Sequence, residues 1–520
     1  MLLPLRGALA ALVASEKRDD LLSPQSRCAA LQTTLKLANT QILNVTYIPG
    51  PTTVSTPGSC VSSAAVNNAP LCRVQFVTNT TSTSALHGEA WLPDVWYGRF
   101  LGLGNAQVGG CVDYTNLDYA TSLHFAVIST DNGHDGLTGL PFLNHPEVIN
   151  DFGFRSVHTE AILGKQIVQK YYSRAPAKSY YMGCSTGGRQ GIQEALKYPN
   201  DFDGIVAGSP ATDWNNLLGW AGMVSKAVGA PAGAASPSFL TTADWALVTA
   251  EALKQCDGLD GLVDGIINEP NDCKFDPTPL LCAGDKTATC LTAAQVTAVK
   301  NVFSPLRDSN GALMYPQYDI GAQADGLYSL ILGGNFFSFT ADWTRYAVKN
   351  VTSFDFTNYS LADIKQSIQI NPGSTATWNG DLSAFRRRGG KLLTFHGRRD
   401  PLIPSSNSKR MYDMIAKTLK TPSLDDFYRL FLIPGMGHCT RGIDGGPTAF
   451  GQGQFPGTNR VNDTQHNILL ALVDWVEKGK APNTITGTSL TDLTMQKVHC
   501  RYPIEKSVWD GSQWVCKKCA

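Results

Sequence analysis

One serine, held between small residues where an apolar run gives way to a helical pattern, constrains this chain more than any other feature. Residues Gly183-Cys184-Ser185-Thr186-Gly187-Gly188 form a G-x-S-x-G. The apolar run Ser179 to Met182 precedes it, and a helix opening near Gly188 and running to Tyr198 follows. Strand, sharp turn and helix in that order project the Ser185 hydroxyl from the strand end. The helix N-terminus and the Thr186 amide then face the point where an attacked carbonyl gathers negative charge. Without those flanking elements the motif reads as a glycine turn; with them Ser185 reads as a nucleophile.

The surrounding pattern is α/β. His87 to Leu92, Gly98 to Leu103 and Phe125 to Ile128 read as short strands between Gly and Asn clusters, followed by a long helical pattern from Phe152 through Tyr172 and another apolar run at Gly204 to Ala207. Alternating strand and helix implies a parallel sheet with helices on its faces. After about Asp213 the character changes. Small residues dominate 221–236, four cysteines fall within 256–290, and aromatic residues recur from 328 to 346, so residues 212–385 read as an insertion. The sheet pattern returns at Lys391 to Phe395 and Arg429 to Ile433, and Asn467 to Lys478 reads as a closing helix. A chain of 520 residues accommodates this plan, since single domains run to about 100–200 residues and α/β units to more.

Two further segments carry chemistry, each directly after a predicted strand. In Phe395-His396-Gly397-Arg398-Arg399-Asp400-Pro401 the Asp400 carboxylate stands at a strand's C-terminal end, where an acid orients a histidine and stabilises its imidazolium. In Pro434-Gly435-Met436-Gly437-His438-Cys439 the glycines let the imidazole reach over the sheet edge, so His438 is the general base. Taken singly, these read as an Asp-Pro turn and a surface histidine. Together the order Ser185, Asp400, His438 is the nucleophile-acid-base order of α/β hydrolases. Cys184 and Cys439 adjoin the nucleophile and the base. Bringing Ser185 and His438 within about 2.6–3.2 Å places the neighbours near the Cα separation a disulfide spans, about 4.4–6.8 Å. The two cysteines are therefore expected to be bonded.

Charge and cysteine content set the compartment and the partners. The 43 Lys+Arg balance 43 Asp+Glu, and no basic run reaches five residues. Nucleic-acid and membrane-surface partners are therefore disfavoured, and a small or neutral substrate is favoured. Arg6 followed by the apolar Gly7 to Ala14 and small residues Ala11, Ala14 and Ser15 has the grammar of a secretory signal. Lys17-Arg18 offers a second processing point, so residues 1–18 are set apart as signal and pro-segment. Thirteen cysteines suit a disulfide framework in a secreted protein, and Cys516 with Cys519 lacks the second pair a zinc finger needs. Sequons at Asn44, Asn79, Asn350, Asn358 and Asn462 agree with secretion.

At this point the chain resembles a known family, the secreted fungal feruloyl esterase B and tannase family of α/β hydrolases. A Cys-Ser pair, an Asp and a His-Cys pair with bridged cysteines mark that family. The resemblance extends from Cys28 to Cys516 and includes Ala90-Trp91-Leu92-Pro93, Gly133-His134-Asp135-Gly136, Arg155-Ser156-Val157-His158, Arg388-Gly389-Gly390-Lys391-Leu392-Leu393 and His499-Cys500-Arg501-Tyr502-Pro503. It implies an α/β-hydrolase fold with a large inserted lid domain, the catalytic domain being 19–211 with 386–520 and the lid 212–385. It implies the disulfides Cys28–Cys72, Cys60–Cys111, Cys184–Cys439, Cys256–Cys273, Cys282–Cys290 and Cys500–Cys516, leaving Cys519 over.

Two further site features follow from the resemblance. The segment Cys256 to Ile266 puts three carboxylates on a glycine-bearing loop, a hard-oxygen arrangement suited to Ca²⁺ and otherwise an acidic solvated turn. By the resemblance Asp257, Asp260 and Asp264 bind calcium with the main-chain oxygens of Leu262 and Ile266, as a structural ion in the lid. The second oxyanion donor comes from the loop Gly102 to Gln107, here the Gly104 amide, in a chain carrying Ala106-Gln107 where relatives have Gly-Gly. No organic cofactor is implied. The expected activity is hydrolysis of feruloyl and p-coumaroyl esters of plant cell-wall polysaccharide. The alternatives are a tannase cleaving galloyl esters and an inactive carbohydrate-binding protein on a hydrolase scaffold. Trp220, Phe336, Phe337, Phe339 and Trp343 are candidates for an acyl pocket, with lid core as the competing role.

Overall fold

The computed structural model describes residues 23–57, 64–440, 442, 446–453 and 461–518. The signal-like segment 1–18 and Cys519 lie outside the described residues. So does Cys60, and the expected Cys60–Cys111 bridge is therefore not among the bridges described below. Of that pair only Cys111 is described, in the loop between the fourth strand of the main sheet and the helix that follows, and its sulfur is disulfide-bonded.

Twelve strands form one sheet: β1 Thr40–Ile48, β2 Leu71–Asn79, β3 Ala85–Pro93, β4 Arg99–Leu103, β5 Phe125–Thr130, β6 Lys178–Cys184, β7 Gly204–Gly208, β8 Lys391–Gly397, β9 Tyr428–Ile433, β10 Pro447–Ala449, β11 Thr484–Ser489 and β12 Gln496–Tyr502. Their spatial order is β1-β2-β3-β5-β4-β6-β7-β8-β9-β12-β11-β10. The run from β5 to β9 is parallel, and the flanking strands on both sides are antiparallel. Strand order reverses where β4 lies between β5 and β6. That switch is where an open α/β sheet leaves a crevice at its strand ends, and it is the arrangement of an α/β hydrolase.

Side chains alternate strictly across the central strands because the pleat repeats every two residues. Tyr181, Ile205, Leu392 and Leu430 face one buried layer with Ile167 and Val168 of helix Ser156–Tyr172 and Met411 and Ile415 of helix Ser406–Thr418. Tyr180, Val206, Leu393 and Phe431 face the other, with Leu117 of helix Tyr114–Ser122 and Leu469 and Leu472 of helix Ile468–Lys478. Both faces are covered, so these strands are near-continuous apolar runs.

The helix after β6, Thr186–Lys197, carries three glycines and is weak by propensity. Packing holds it: a Cβ on Gly188 would sit 2.2 Å from the Gly208 carbonyl oxygen, so only glycine lets this helix lie so close on β7.

Between β7 and β8 the chain builds a separate apolar interior. Helices Trp214–Ala227, Thr242–Cys256, Ala293–Val302 and Leu361–Ile370 are its main elements. Trp214, Trp220, Trp245, Val299, Tyr318 and Trp343 fill it together with Val108 from the segment after β4 and Phe142 and Phe152 from helical turns after β5. The aromatic candidates for an acyl pocket belong mostly here. Trp220, Phe337 and Trp343 are buried in this interior, Phe339 packs against it, and Phe336 stacks on Phe356 at 4.4 Å. Among the described residues no helix is long and apolar enough to cross a membrane.

Candidate functional site

β6 ends at Cys184 and the next helix starts at Thr186, so Ser185 alone makes the turn. Its backbone has φ 64° and ψ −120°, a conformation costly for any residue with a side chain. Hydrogen bonds on both sides hold it there. The Ser185 amide donates to the Gly208 carbonyl at 3.0 Å, and its own carbonyl accepts from the amides of Arg189 at 3.0 Å and Ala211 at 3.1 Å. The side chain makes no cap to its helix. Cys184 is disulfide-bonded to Cys439 with Cα atoms 5.9 Å apart across 255 positions, which fastens the elbow to the loop carrying His438.

That loop follows β9, as the loop of Asp400 follows the adjacent β8. His438 Nδ1 lies 2.8 Å from Asp400 Oδ2. The other carboxylate oxygen accepts from the amides of Leu402 at 2.9 Å and Ile403 at 3.0 Å. Burial alone would raise this carboxyl; the charges and hydrogen bonds of His438 and His396 outweigh it and hold Asp400 well below the usual carboxylate range. His396, fully buried at the end of β8, is a second histidine at this carboxylate that the sequence does not single out. Its Nε2 lies 2.9 Å from the Ile403 carbonyl and 3.3 Å from Asp400 Oδ2, and its Nδ1 lies 2.7 Å from the Ser408 hydroxyl. The signal available was its place at the end of β8, four residues before Asp400 in the loop that follows.

The expectation for the second oxyanion donor needs correction. The Gly104 amide donates to the Met182 carbonyl at 2.9 Å, continuing the ladder one residue past Leu103, so it is turned into the sheet. The Asn105 amide is also engaged, by Gln190 Oε1 at 2.9 Å. Sequence reasoning missed this polar network. Asn105 Nδ2 reaches the Thr130 carbonyl at 2.8 Å and the Cys111 carbonyl at 3.0 Å, and Gln190 Nε2 donates to both Asn105 Oδ1 and Asn132 Oδ1. It locks the loop against the helix of Ser185. Beyond it, the Thr186 hydroxyl donates to the Gln107 carbonyl, and Gln107 has φ 61°.

The inserted segment grips the acid loop. Arg398, buried, donates to Glu269 at 2.7 Å and Asn271 at 3.2 Å; Arg399 donates to the Ala324 carbonyl; Tyr318 donates to the Pro401 carbonyl at 3.0 Å. A Cβ on Gly437 would meet Asp325 Oδ2 at 2.2 Å, so this glycine admits a carboxylate of the inserted segment beside His438.

In the acidic loop Asp257 accepts from the Gly265 amide, Asp260 from Leu262 and Asp264 from Ile266. Burial first, and then the like charge of their neighbours, pushes the Asp260 and Asp264 carboxyls up. Among the described residues the cluster whose ligand atoms all lie within 4.8 Å is elsewhere, at His158, Glu194 and Asp201. Disulfides also join Cys28 to Cys72, Cys256 to Cys273, Cys282 to Cys290 and Cys500 to Cys516. Asn44, Asn79, Asn350, Asn358 and Asn462 are all exposed.

Known proteins share this architecture. Residues 72–517 match the family model described as tannase and feruloyl esterase. A probable feruloyl esterase B-2 of Aspergillus oryzae is 41% identical over 98% of this chain and 96% of its own length. The chain belongs to the tannase and feruloyl esterase family. It is a carboxylic ester hydrolase. The crystal structure of feruloyl esterase B from Aspergillus oryzae superimposes with a TM-score of 0.91 at 38% identity, over 95% of this chain and 100% of that one. The tannin acyl hydrolase from Aspergillus niger shares the fold, with a TM-score of 0.70 at 20% identity over 96% of this chain and 95% of that one.

Proposed function

We propose that this protein is a secreted feruloyl esterase that hydrolyses feruloyl and p-coumaroyl esters of plant cell-wall polysaccharide through Ser185, His438 and Asp400. The observation that carries the reading is the pair His438–Asp400 at 2.8 Å, bridged through Cys439–Cys184 to the strained turn of Ser185, in a chain about 40% identical to probable feruloyl esterases B.

In the first step Ser185 Oγ bonds to the ester carbonyl carbon while its proton passes to His438 Nε2, the nitrogen not facing Asp400. Asp400, ionised, fixes that tautomer and stabilises the imidazolium. The carbonyl oxygen becomes an oxyanion at the start of the helix, where the Thr186 amide has no intrahelical acceptor. The second donor comes from the loop just past Asn105, since the Gly104 and Asn105 amides are engaged and the Thr186 hydroxyl holds the Gln107 carbonyl beside the helix start. Collapse of the intermediate breaks the ester C–O bond, and His438 returns its proton to the departing alcohol. Water then attacks the acyl-enzyme by the same route and releases the acid with free Ser185.

The carboxylates of Asp257, Asp260 and Asp264, gathered on one glycine-bearing loop with the main-chain oxygens of Leu262 and Ile266, are a hard-oxygen set that suits a structural Ca²⁺. Bound there, calcium would neutralise the loop beside Glu269, the partner of Arg398 in the acid loop. The disulfides and exposed sequons support secretion and glycosylation.

The test is a substrate panel on purified protein: methyl ferulate and methyl p-coumarate against propyl gallate, with Ser185→Ala as control. The reading expects the cinnamoyl esters to dominate and the variant to be inert yet folded. Preference for gallate would make the protein a tannase, and full activity in the variant would remove Ser185 from the mechanism.

A further inference from the structure

The far end of the Ser185 helix carries a second cluster that the hydrolytic reaction does not use. Glu194 is 1% exposed, and its Oε2 has no hydrogen-bond partner among the described residues. His158, in the first turn of helix Ser156–Tyr172, and Asp201, in the loop leading to β7, approach it so that one ligand atom from each of the three lies within 4.8 Å of the others. His158 Nδ1 stands 2.5 Å from Asp201 Oδ2, and its ring stacks on Tyr198 at 3.7 Å and 7°, which fixes the imidazole plane.

Glu194 and Asp201 are both acceptors when ionised, and with ligand atoms within 4.8 Å of each other they repel unless a cation or a proton offsets their charge. We infer that His158, Glu194 and Asp201 bind one divalent transition-metal ion of the zinc class. One imidazole and two carboxylates are the three-ligand set that a borderline-soft tetrahedral ion accepts, whereas the nitrogen donor disfavours calcium. Side-chain exposures of 30% for His158 and 13% for Asp201 give the ion an entry path and a fourth position for water, with Glu194 closing the floor. The Lys165 ammonium donates to the Asp201 main-chain carbonyl and leaves the carboxylate to the ion.

Coordination through His158 Nδ1 takes the place of its hydrogen bond to Asp201, the ring hydrogen then residing on Nε2. Their ligand atoms then move from 2.5 Å to about 3.3 Å, the separation of two ligands about 2.0–2.1 Å from a tetrahedral ion. The ion would pin the helix of His158, the helix of Ser185 and the loop to β7 together. It is structural and separate from the reacting groups.

The test uses the full secreted chain, saturated with Ca²⁺ and stripped of transition metals, titrated with Zn²⁺ at pH 7.5 by calorimetry and by thermal unfolding. One equivalent per chain with a rise in Tm and unchanged ester hydrolysis is expected. His158→Gln and Glu194→Gln should each lose the isotherm. Glu194→Gln should also melt higher than the wild type without zinc, because it removes one of two neighbouring carboxyls, and this shows that it folds. No zinc uptake by the wild type, or uptake retained in Glu194→Gln, overturns the site, as does equal uptake by a folded His158→Gln.

Discussion

Removing the Cys184–Cys439 bridge tests whether one covalent link both stabilises the fold and registers the reacting groups. In the chain-entropy model, closing 255 positions stabilises by about 5.5 kcal/mol. The nested bridges Cys256–Cys273 and Cys282–Cys290 shorten the effective loop by 17 and 8 positions, which lowers that figure by only about 0.1 kcal/mol. Cys282–Cys290, spanning 8 positions, is worth about 2.5 kcal/mol by the same expression. With an unfolding entropy of about 2.1 cal/mol/K per residue over 520 residues, Cys184→Ala/Cys439→Ala should lower Tm by about 5 °C and Cys282→Ala/Cys290→Ala by about 2 °C. The two variants separate further in catalysis. Only the first bridge joins residues adjacent to Ser185 and His438, so kcat for methyl ferulate should fall about 100-fold there, as for an ångström of misplacement, and stay unchanged in the second. Calorimetry and steady-state kinetics read both quantities. Equal losses of Tm and an unchanged kcat in the first variant would refute the reasoning.

Other perturbations have equally definite outcomes. Asp400→Asn should lower kcat by about 10³–10⁴-fold with little change in KM, because the wrong imidazole tautomer is then favoured; a loss confined to KM contradicts this. Asp213, buried at the start of helix Trp214–Ala227, has its carboxyl pushed up to about 6 by burial. The native state therefore holds this proton more tightly than the unfolded chain, and stability falls as pH rises from about 4 to 6, by roughly 2–3 kcal/mol. Asp213→Asn removes that penalty, so its advantage in denaturation midpoint should grow across this window and stay level above it; a constant difference excludes Asp213 as the cause. Chelation with EGTA should lower Tm, and Asp264→Asn should abolish the response to added Ca²⁺; an EGTA-insensitive melting curve removes calcium from the lid.

The sequence was most legible around Ser185. Central strands and helices fell within a few residues of their predicted positions because both periodicity and Gly punctuation mark them. The helix predicted to open near Gly188 opens at Thr186, since the glycines there serve close packing on β7 rather than a turn. Proximity of Cys184 and Cys439 followed from adjacency to two residues that must meet. Most of the antiparallel flanks were not legible: β1 pairs with β2, and β12 with β9, through non-local ladders that leave no local pattern. Gly104 shows the same limit at the site. Whether an amide points into a ladder or a crevice depends on where β4 stops pairing with β6, and only coordinates give that. The Asn105–Gln190–Asn132 network was hidden for a similar reason, its members coming from three separate segments.

The most direct measurement is active-site labelling with a serine-directed fluorophosphonate, followed by peptide mapping. The account predicts one label per chain, on Ser185, formed by the wild type and at least 100-fold more slowly by His438→Ala. Labelling at another residue, or equal rates in the two proteins, would contradict it.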